Sequence, residues 1–319
     1  MDLLFIIDPL EDIKAYKDTT VVMMRAAQKR GHVVHVCEQA GICWSEDRVQ
    51  ASATRIALTD NDEDWYRRDG SAARELKHFG AVLMRKDPPF DMEYVASTWL
   101  LEQAERQGAR VFNSPRALRD HNEKFAIAEF AHLSVPSVVT RDMGALQAFI
   151  DEHRDTVLKP LLGMGGAGIF RVKSDDPNRN VIVETLAEHG ARSVMAQRFI
   201  PEIAQGDKRV ILIEGQPLPH VLARIPKKGE TRGNLAVGGK GVAQPLSARD
   251  REIAEAMGPV LAARGLLFVG LDVIGEWLTE VNVTSPTCLR EIQDQTGFDC
   301  GGVFIEALEA RLAAPRRGP

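Results

Sequence analysis

The chain has 319 residues, 44% of them hydrophobic and 27% charged, with a formal net charge of −5. This profile describes a globular protein too long for one core, so two or three units are expected. A slight acidic excess gives no electrostatic reason to expect nucleic acid, and the longest apolar runs are far too short to cross a bilayer. The opening MDLLFIIDPL carries Asp2 and no basic stretch, and reads as a first strand and not a signal peptide. Four cysteines, Cys37, Cys43, Cys288 and Cys300, form no C-x-x-C pair, which suits buried free thiols in a reducing cytoplasm.

The first third alternates strand and helix. LLFIID (3–8) is a short apolar strand, and Asp18 or Thr19 caps a helix over 20–30 that Gly31 ends. HVVHVCE (32–38), AVLMR (81–85) and RVFN (110–113) are further strands, with a helix over 92–106 before the last of them. Strands separated by helices imply a parallel sheet covered on both faces. The polar stretch 44–75 is weakly periodic and reads as an excursion or short hairpin, and 114–131 reads as a helix leading into a second unit. From Pro136 the pattern changes to antiparallel hairpins with helices over 144–153 and 181–188, an α+β unit. Another hairpin over 209–226 turns at Glu214-Gly215. A glycine-rich stretch without apolar periodicity follows (227–241), which reads as a mobile loop: either a lid or a solvated excursion. A capped helix (247–264), a hairpin in GLDVIGEWLTEVNVTSP, a final helix (303–312) and a frayed tail AAPRRGP complete the chain.

That last hairpin carries the chemistry. Leu271, Val273, Val281 and Val283 are apolar and odd-numbered, so their face reads as core. Asp272, Glu280 and Asn282 then share the other face, which requires an odd turn or a bulge, with Gly275 supplying the freedom for one. Carboxylate and amide oxygens without His or Cys suit a hard cation such as Mg²⁺, although a solvated polar face would look the same.

GMGGAG (163–168) matches the dinucleotide fingerprint G-x-G-x-x-G letter for letter. That fingerprint needs a helix after its glycines, and IFRVK, alternating and β-branched, argues for a strand. The alternatives are a glycine turn folded over a triphosphate or a plain hairpin tip. Lys159 sits within the apolar strand VLKP, where a charge needs a partner, and Lys124 lies in NEKF at the entry to the second unit. Both can converge on one anionic ligand.

Together these residues resemble the ATP-grasp fold, and more closely the bacterial glutathione synthetase family. The resemblance runs nearly end to end, through MRKDPPFD (84–91), LRDHNEK (118–124), LKPLLGMGGAGIFRVK (158–173), GDKRV (206–210), ARIPKKGETRGNLAVGGKG (223–241) and GLDVIGEWLTEVNVTSPTCLREI (270–292). It implies an N-terminal parallel-sheet domain over 1–121, a central subdomain over 122–202 bearing the glycine loop, and a C-terminal subdomain over 203–319 with the metal site and a mobile loop at 225–241. It further implies that Lys124 and Lys159 hold ATP phosphates beneath Gly163, Gly165, Gly166 and Gly168. Gln197, Arg198, Phe199 and Ile200 would read adenine through their backbone, and Asp207 would meet the ribose. Asp272, Glu280 and Asn282 would hold two Mg²⁺ ions, with Mn²⁺ as a substitute, and Arg209 and Arg224 would serve as catalytic cations. Ser285, Pro286 and Thr287 would orient substrate, with Asp18 and Lys86 reaching from the first domain and Arg232 and Asn234 from the lid.

The implied reaction joins γ-glutamylcysteine to glycine in the cytoplasm while ATP becomes ADP and phosphate, in a homo-oligomer that resemblance makes a tetramer. A carboxylate is a poor electrophile, so an acyl phosphate forms first and fixed cations stabilise the spreading charge. No protein nucleophile is needed, and Cys288 reads as a small packed residue. Other readings are a different ATP-grasp carboxylate–amine ligase, such as one joining two D-alanines, a non-catalytic ATP-binding module, and a nicotinamide oxidoreductase.

Overall fold

A computed structural model describes residues 1–314 apart from 231, 234, 236 and 237. The N-terminal part runs β1 (Asp2–Ile7), α1 (Thr19–Lys29), β2 (Val33–Glu38), β3 (Ile42–Ser45), β4 (Arg48–Leu58), β5 (Tyr66–Glu75), β6 (Ala81–Met84), α2 (Met92–Arg106), β7 (Val111–Phe112) and α3 (Pro115–Asp120). The helices start where short oxygen-bearing side chains accept orphan N–H groups: Asp18 from Val21 and Asp91 from Tyr94. Strands β2, β1, β6 and β7 are parallel, as their apolar runs predict. The 44–75 excursion is larger than its weak periodicity suggests, because β3, β4 and β5 extend the same sheet as an antiparallel ribbon. Its buried side chains include the small Ala51 and Ala53, and a bulge near Thr54 breaks the two-residue period, so the apolar signal is faint.

The middle part is β8 (Ser137–Thr140), α4 (Met143–His153), β9 (Asp155–Pro160), β10 (Phe170–Lys173), α5 (Arg179–Leu186) and β11 (Val194–Arg198). Its four strands are antiparallel in the order β10-β9-β11-β8, over a small core that includes Leu146, Ile150, Leu158, Val172 and Val194. The expected continuous helix over 114–131 is instead broken. After α3 the chain kinks through His121–Lys124 and resumes as tight 3-10 turns over Phe125–Leu133, with Asn122 Oδ1 accepting from the Phe125 N–H.

The last part holds β12 (Asp207–Ile213), β13 (Gln216–Pro217), β14 (His220–Ile225), β15 (Lys240–Pro245), α6 (Ala248–Ala263), β16 (Phe268–Ile274), β17 (Trp277–Asn282), α7 (Leu289–Thr296) and α8 (Cys300–Ala313). The sheet order is β15-β14-β12-β16-β17, with β13 beside β12. Glu214-Gly215 turns the β12–β13 hairpin as expected. Helix α6 lies against that turn so closely that a Cβ on Gly258 would sit 2.0 Å from the Gly215 oxygen. The α7 segment was not anticipated, and the basic tail lies outside the described residues. First and last parts share their cores: Leu4, Ile6, Val210 and Leu271 belong to one buried cluster, and Phe5, Ile211 and Phe304 to another.

Asn113 staples these two parts together. Its buried amide donates to the Phe268 and Val283 oxygens, both at 2.8 Å, and accepts from the Phe268 N–H at 2.9 Å. Truncating it strands three buried backbone groups, so Asn113→Ala should lower the urea-derived unfolding free energy by about 3 kcal/mol. A loss below about 1 kcal/mol would show that the staple contributes little.

Candidate active site

A cleft of about 670 Å³ opens between the three sheets. One wall is the β16–β17 hairpin, whose register puts Asp272 opposite Glu280 and Gly270 opposite Asn282. Leu271, Val273, Val281 and Val283 are fully buried on the opposite face, as their parity predicts. The device that reconciles the parity differs from the expectation. Gly275-Glu276 forms an ordinary two-residue turn, with Gly275 at φ +60°, and the extra residue is Thr279, between Glu280 and Leu278. This bulge turns the Thr279 oxygen toward Lys159 Nζ at 3.2 Å, while Thr279 Oγ1 donates to the Asp272 oxygen at 3.1 Å.

Sheet register also builds a row of charges. Strand β12 places Arg209 opposite Asp272 on β16 and Asp207 opposite Arg224 on β14. Arg209 Nε donates to Asp272 Oδ1 at 2.6 Å, and Arg224 Nη2 reaches Asp272 Oδ2 at 2.9 Å and Asp207 Oδ2 at 2.5 Å. Burial alone would raise the Asp272 carboxyl, but Arg209 and Arg224 outweigh it and hold it below the usual carboxylate range. Burial pushes Asp207 up to about 6 despite Arg224, and its Oδ1 is buried without a hydrogen-bond partner. Asp272 is therefore fully engaged by arginines here, with only spare lone pairs to offer a cation.

The phosphate-type residues face this row. Lys124 Nζ donates to the Gly163 oxygen at 2.6 Å and lies 3.2 Å from Glu280. Lys159 is buried on β9, and desolvation lowers its pKa, partly offset by Glu280. The loop 161–169 joins antiparallel β9 and β10, so a strand does follow the glycines and the dinucleotide reading fails on context. Gly165, Gly166 and Gly168 all take positive φ, between +63° and +84°.

Gln197, Arg198, Phe199 and Ile200 line the far side of the cleft. The Arg198 and Phe199 N–H groups already donate to Pro136 and Asp155, so backbone reading there falls to Ile200 N–H and the carbonyls. Arg232 spans from the 225–241 loop to the glycine loop, donating to the Gly166 oxygen at 3.2 Å while pairing with Glu230. Asn234 lies outside the described residues.

At the other end, Asp18 caps α1 from within the cleft, and burial raises its pKa. Ser285 Oγ donates to the Arg85 oxygen at 3.2 Å, and Pro286 and Thr287 line the same wall. Lys86 sits beside the cleft lining and not in it. Its ammonium pairs with Asp8 at 2.7 Å and the Asp87 oxygen at 2.6 Å, and it does not line the cleft. Its neighbour Arg85 does, buried and donating to Thr20 Oγ1 at 3.1 Å and to the Pro286 oxygen at 3.0 Å. A charge ending the apolar run AVLM was the available signal, the same one that singled out Lys159. Glu123 and Glu291 also line the cleft and were missed. Cys288 is buried, and desolvation raises its thiol pKa, which fits packing and not nucleophilic attack.

The oxygen set passes a simple test for a hard cation. Among the described residues no three His, Cys, Asp or Glu side chains cluster as a metal group. The candidate is two carboxylates and an amide, whose Asn282 Nδ2 donates to the Gly270 oxygen at 3.2 Å and so leaves Oδ1 for a ligand. Such a set is open, with room for ligand oxygens to complete it.

Comparison with known proteins identifies the family. The N-terminal domain model of prokaryotic glutathione synthetase matches residues 1–119, and the ATP-grasp domain model of the same family matches 123–297. A glutathione synthetase of Ralstonia nicotianae is 59% identical over 309 residues, covering 97% of this chain and 95% of the relative. The glutathione synthetase of Pseudomonas aeruginosa is 50% identical, covering 97% of this chain and 98% of its own. Among solved structures, D-cycloserine synthetase DcsG superposes with a TM-score of 0.69 at 16% identity, covering 98% of this chain and all of that one, a likeness of fold alone. The ATP-grasp ligase PsnB, complexed with a precursor peptide and AMPPNP, gives 0.62 at 20% identity, covering 98% of each chain. With both family models matched and half or more of its residues shared with such relatives along nearly its whole length, the chain belongs to the prokaryotic glutathione synthetase family of ATP-grasp ligases.

Proposed function

We propose that this chain joins γ-glutamylcysteine to glycine at the expense of ATP, giving glutathione, ADP and phosphate. The observation that carries the reading is the charge row Asp207–Arg224–Asp272–Arg209, facing Lys124, Lys159 and the glycine loop across one cleft. These groups are balanced four against four: Lys124, Lys159, Arg209 and Arg224 meet Asp207, Asp272, Glu280 and Glu123. A triphosphate entering such a cleft must bring countercharge with it, which favours two divalent cations, with Mg²⁺ native and Mn²⁺ a substitute. Bound at Asp272, Glu280 and Asn282, Mg²⁺ would supply Lewis-acid neutralisation of the phosphate oxygens.

The residues then divide the work. Lys124 and Lys159 orient the phosphates while the glycine loop covers them with backbone N–H groups. The dipeptide's cysteinyl carboxylate attacks the γ-phosphoryl group, the bond to ADP breaks, and an acyl phosphate forms. Arg209 and Arg224, swung from Asp272 to these oxygens, stabilise the developing charge. Glycine's amine attacks the acyl carbon, sheds a proton, and phosphate leaves. Ser285, Pro286, Thr287 and Asp18 hold the dipeptide, with Arg85 in the role first given to Lys86. Arg232, already touching the glycine loop, closes the cleft with Asn234 so that water does not take the acyl phosphate. Asp207 meets the ribose, and the Gln197–Ile200 segment meets adenine. The same reading takes 1–121, 122–202 and 203–319 as the working units and a homotetramer as the assembly. A reducing cytoplasm suits the four free cysteines, and no described helix is long and apolar enough to cross a membrane.

Incubation with ATP, Mg²⁺, γ-glutamylcysteine and glycine should release ADP and the tripeptide in equal amounts. ADP at background level, or release only with D-alanine, would refute the assignment. Glu280→Gln should cut turnover at least about 100-fold, as loss of a transition-state interaction does, yet shift the melting temperature little. Parallel losses of both would argue for a structural role. Arg232→Ala should raise ADP formed per peptide made, and unchanged coupling would remove Arg232 from the closure.

A further inference from the structure

Strand β17 is the edge of its sheet, so the outward N–H groups of Val281 and of Val283, just past its end, need acceptors from elsewhere. One residue supplies both. The Glu123 main-chain oxygen accepts from the Val281 N–H at 2.8 Å. Its side-chain Oε1 accepts from the Val283 N–H at 2.8 Å, and from the Thr284 N–H and Oγ1, both at 2.9 Å. Glu123 therefore stands in for the missing next strand and grips both neighbours of Asn282, plus the first residue of the turn leading to Ser285–Thr287. The adjacent Lys124 binds Glu280 and the Gly163 oxygen. The kink after α3, where a helix was expected, is what lets two consecutive residues face the same strand.

We infer that Glu123 is a positioning residue for the metal–nucleotide centre, fixing the 281–284 segment so that Asn282 and the substrate-holding turn present their oxygens to ligand. The task needs an acceptor within reach of the whole segment: one side-chain oxygen takes three donors, which offset much of the cost of burying it. The inference rests on the reading of Asn282 as a metal ligand. Glu123 acts through Asn282 and the turn, by hydrogen-bond acceptance.

The test is ADP binding by calorimetry to the full chain, with Mg²⁺ and with EDTA. Wild type should bind ADP more tightly with Mg²⁺. Glu123→Ala should lose about tenfold of that Mg²⁺-dependent gain, as outer-shell partners of metal ligands do, with ADP affinity in EDTA unchanged. Glu123→Gln, whose amide oxygen still accepts, should stay within about twofold of wild type. Thr284→Ala, which removes one of the three donors, should lose about twofold to threefold of the gain. A full Mg²⁺ gain in Glu123→Ala, or an equal loss of affinity in EDTA, would overturn the positioning role. A loss in Glu123→Gln as large as in Glu123→Ala would overturn it too, by showing that the charge itself is required. No Mg²⁺ gain in wild type would overturn both the metal-site reading and this inference. A Mg²⁺ gain without tripeptide synthesis would fault the substrate assignment and leave Glu123 in place.

Discussion

Asp272 held between Arg209 and Arg224 is the interaction on which the rest of the site depends. Three ions removed from water cost several kcal/mol each, and their attraction repays this only when every partner is in place. A well-packed hydrophobic cluster would stabilise the sheet at least as well, so stability alone does not explain the row. Its value lies in readiness. Asp272 holds both arginines in place on the cleft wall, where the proposed reading brings the anionic ligand oxygens. On the proposed reading, phosphate oxygens would replace Asp272 on the arginines and a divalent cation would replace the arginines on Asp272.

Antiparallel register is what makes this arrangement readable and reproducible. Arg209 opposite Asp272, Asp207 opposite Arg224 and Asp272 opposite Glu280 are direct cross-strand partners, so pleat and pairing fix them before any side chain chooses a rotamer. The bulge at Thr279 is the one irregularity. It restores parity between the two strands and aims a carbonyl at Lys159, tying the middle sheet to the last. Glu123 and Lys124 make the second tie. The glycine loop thus hangs over a floor that two separate sheets hold in common.

Much of this was legible in the chain. Parity alone placed Asp272, Glu280 and Asn282 on the cleft face and the valines in the core. The alternating IFRVK after Gly168 argued against a dinucleotide site, and the antiparallel β9–β10 pairing bears that strand out. Asp18, Gly31 and Glu214-Gly215 marked helix and hairpin ends where they fall. Less legible were features whose signal is long-range or weak. Small alanines on β4 gave no strong alternation, and the helix-compatible runs on either side, PRALRD and FAIAEFA, hid the kink at His121–Lys124. Sequence cannot say which of two adjacent cations turns inward, so Lys86 was chosen where Arg85 lines the cleft. Glu123 lies within the string LRDHNEK, but nothing there marks its contacts, because it caps another strand's edge, 160 residues away at Val283.

The most direct measurement is a crystal structure with Mn²⁺ and a non-hydrolysable ATP analogue, using the anomalous signal to locate the metal. The account predicts metal peaks between the nucleotide's phosphate oxygens and Asp272, Glu280 and Asn282, with Lys124 and Lys159 on the phosphates and Arg209 and Arg224 released from Asp272. Metal bound elsewhere, or both arginines still locked on Asp272 with the triphosphate outside the cleft, would contradict it.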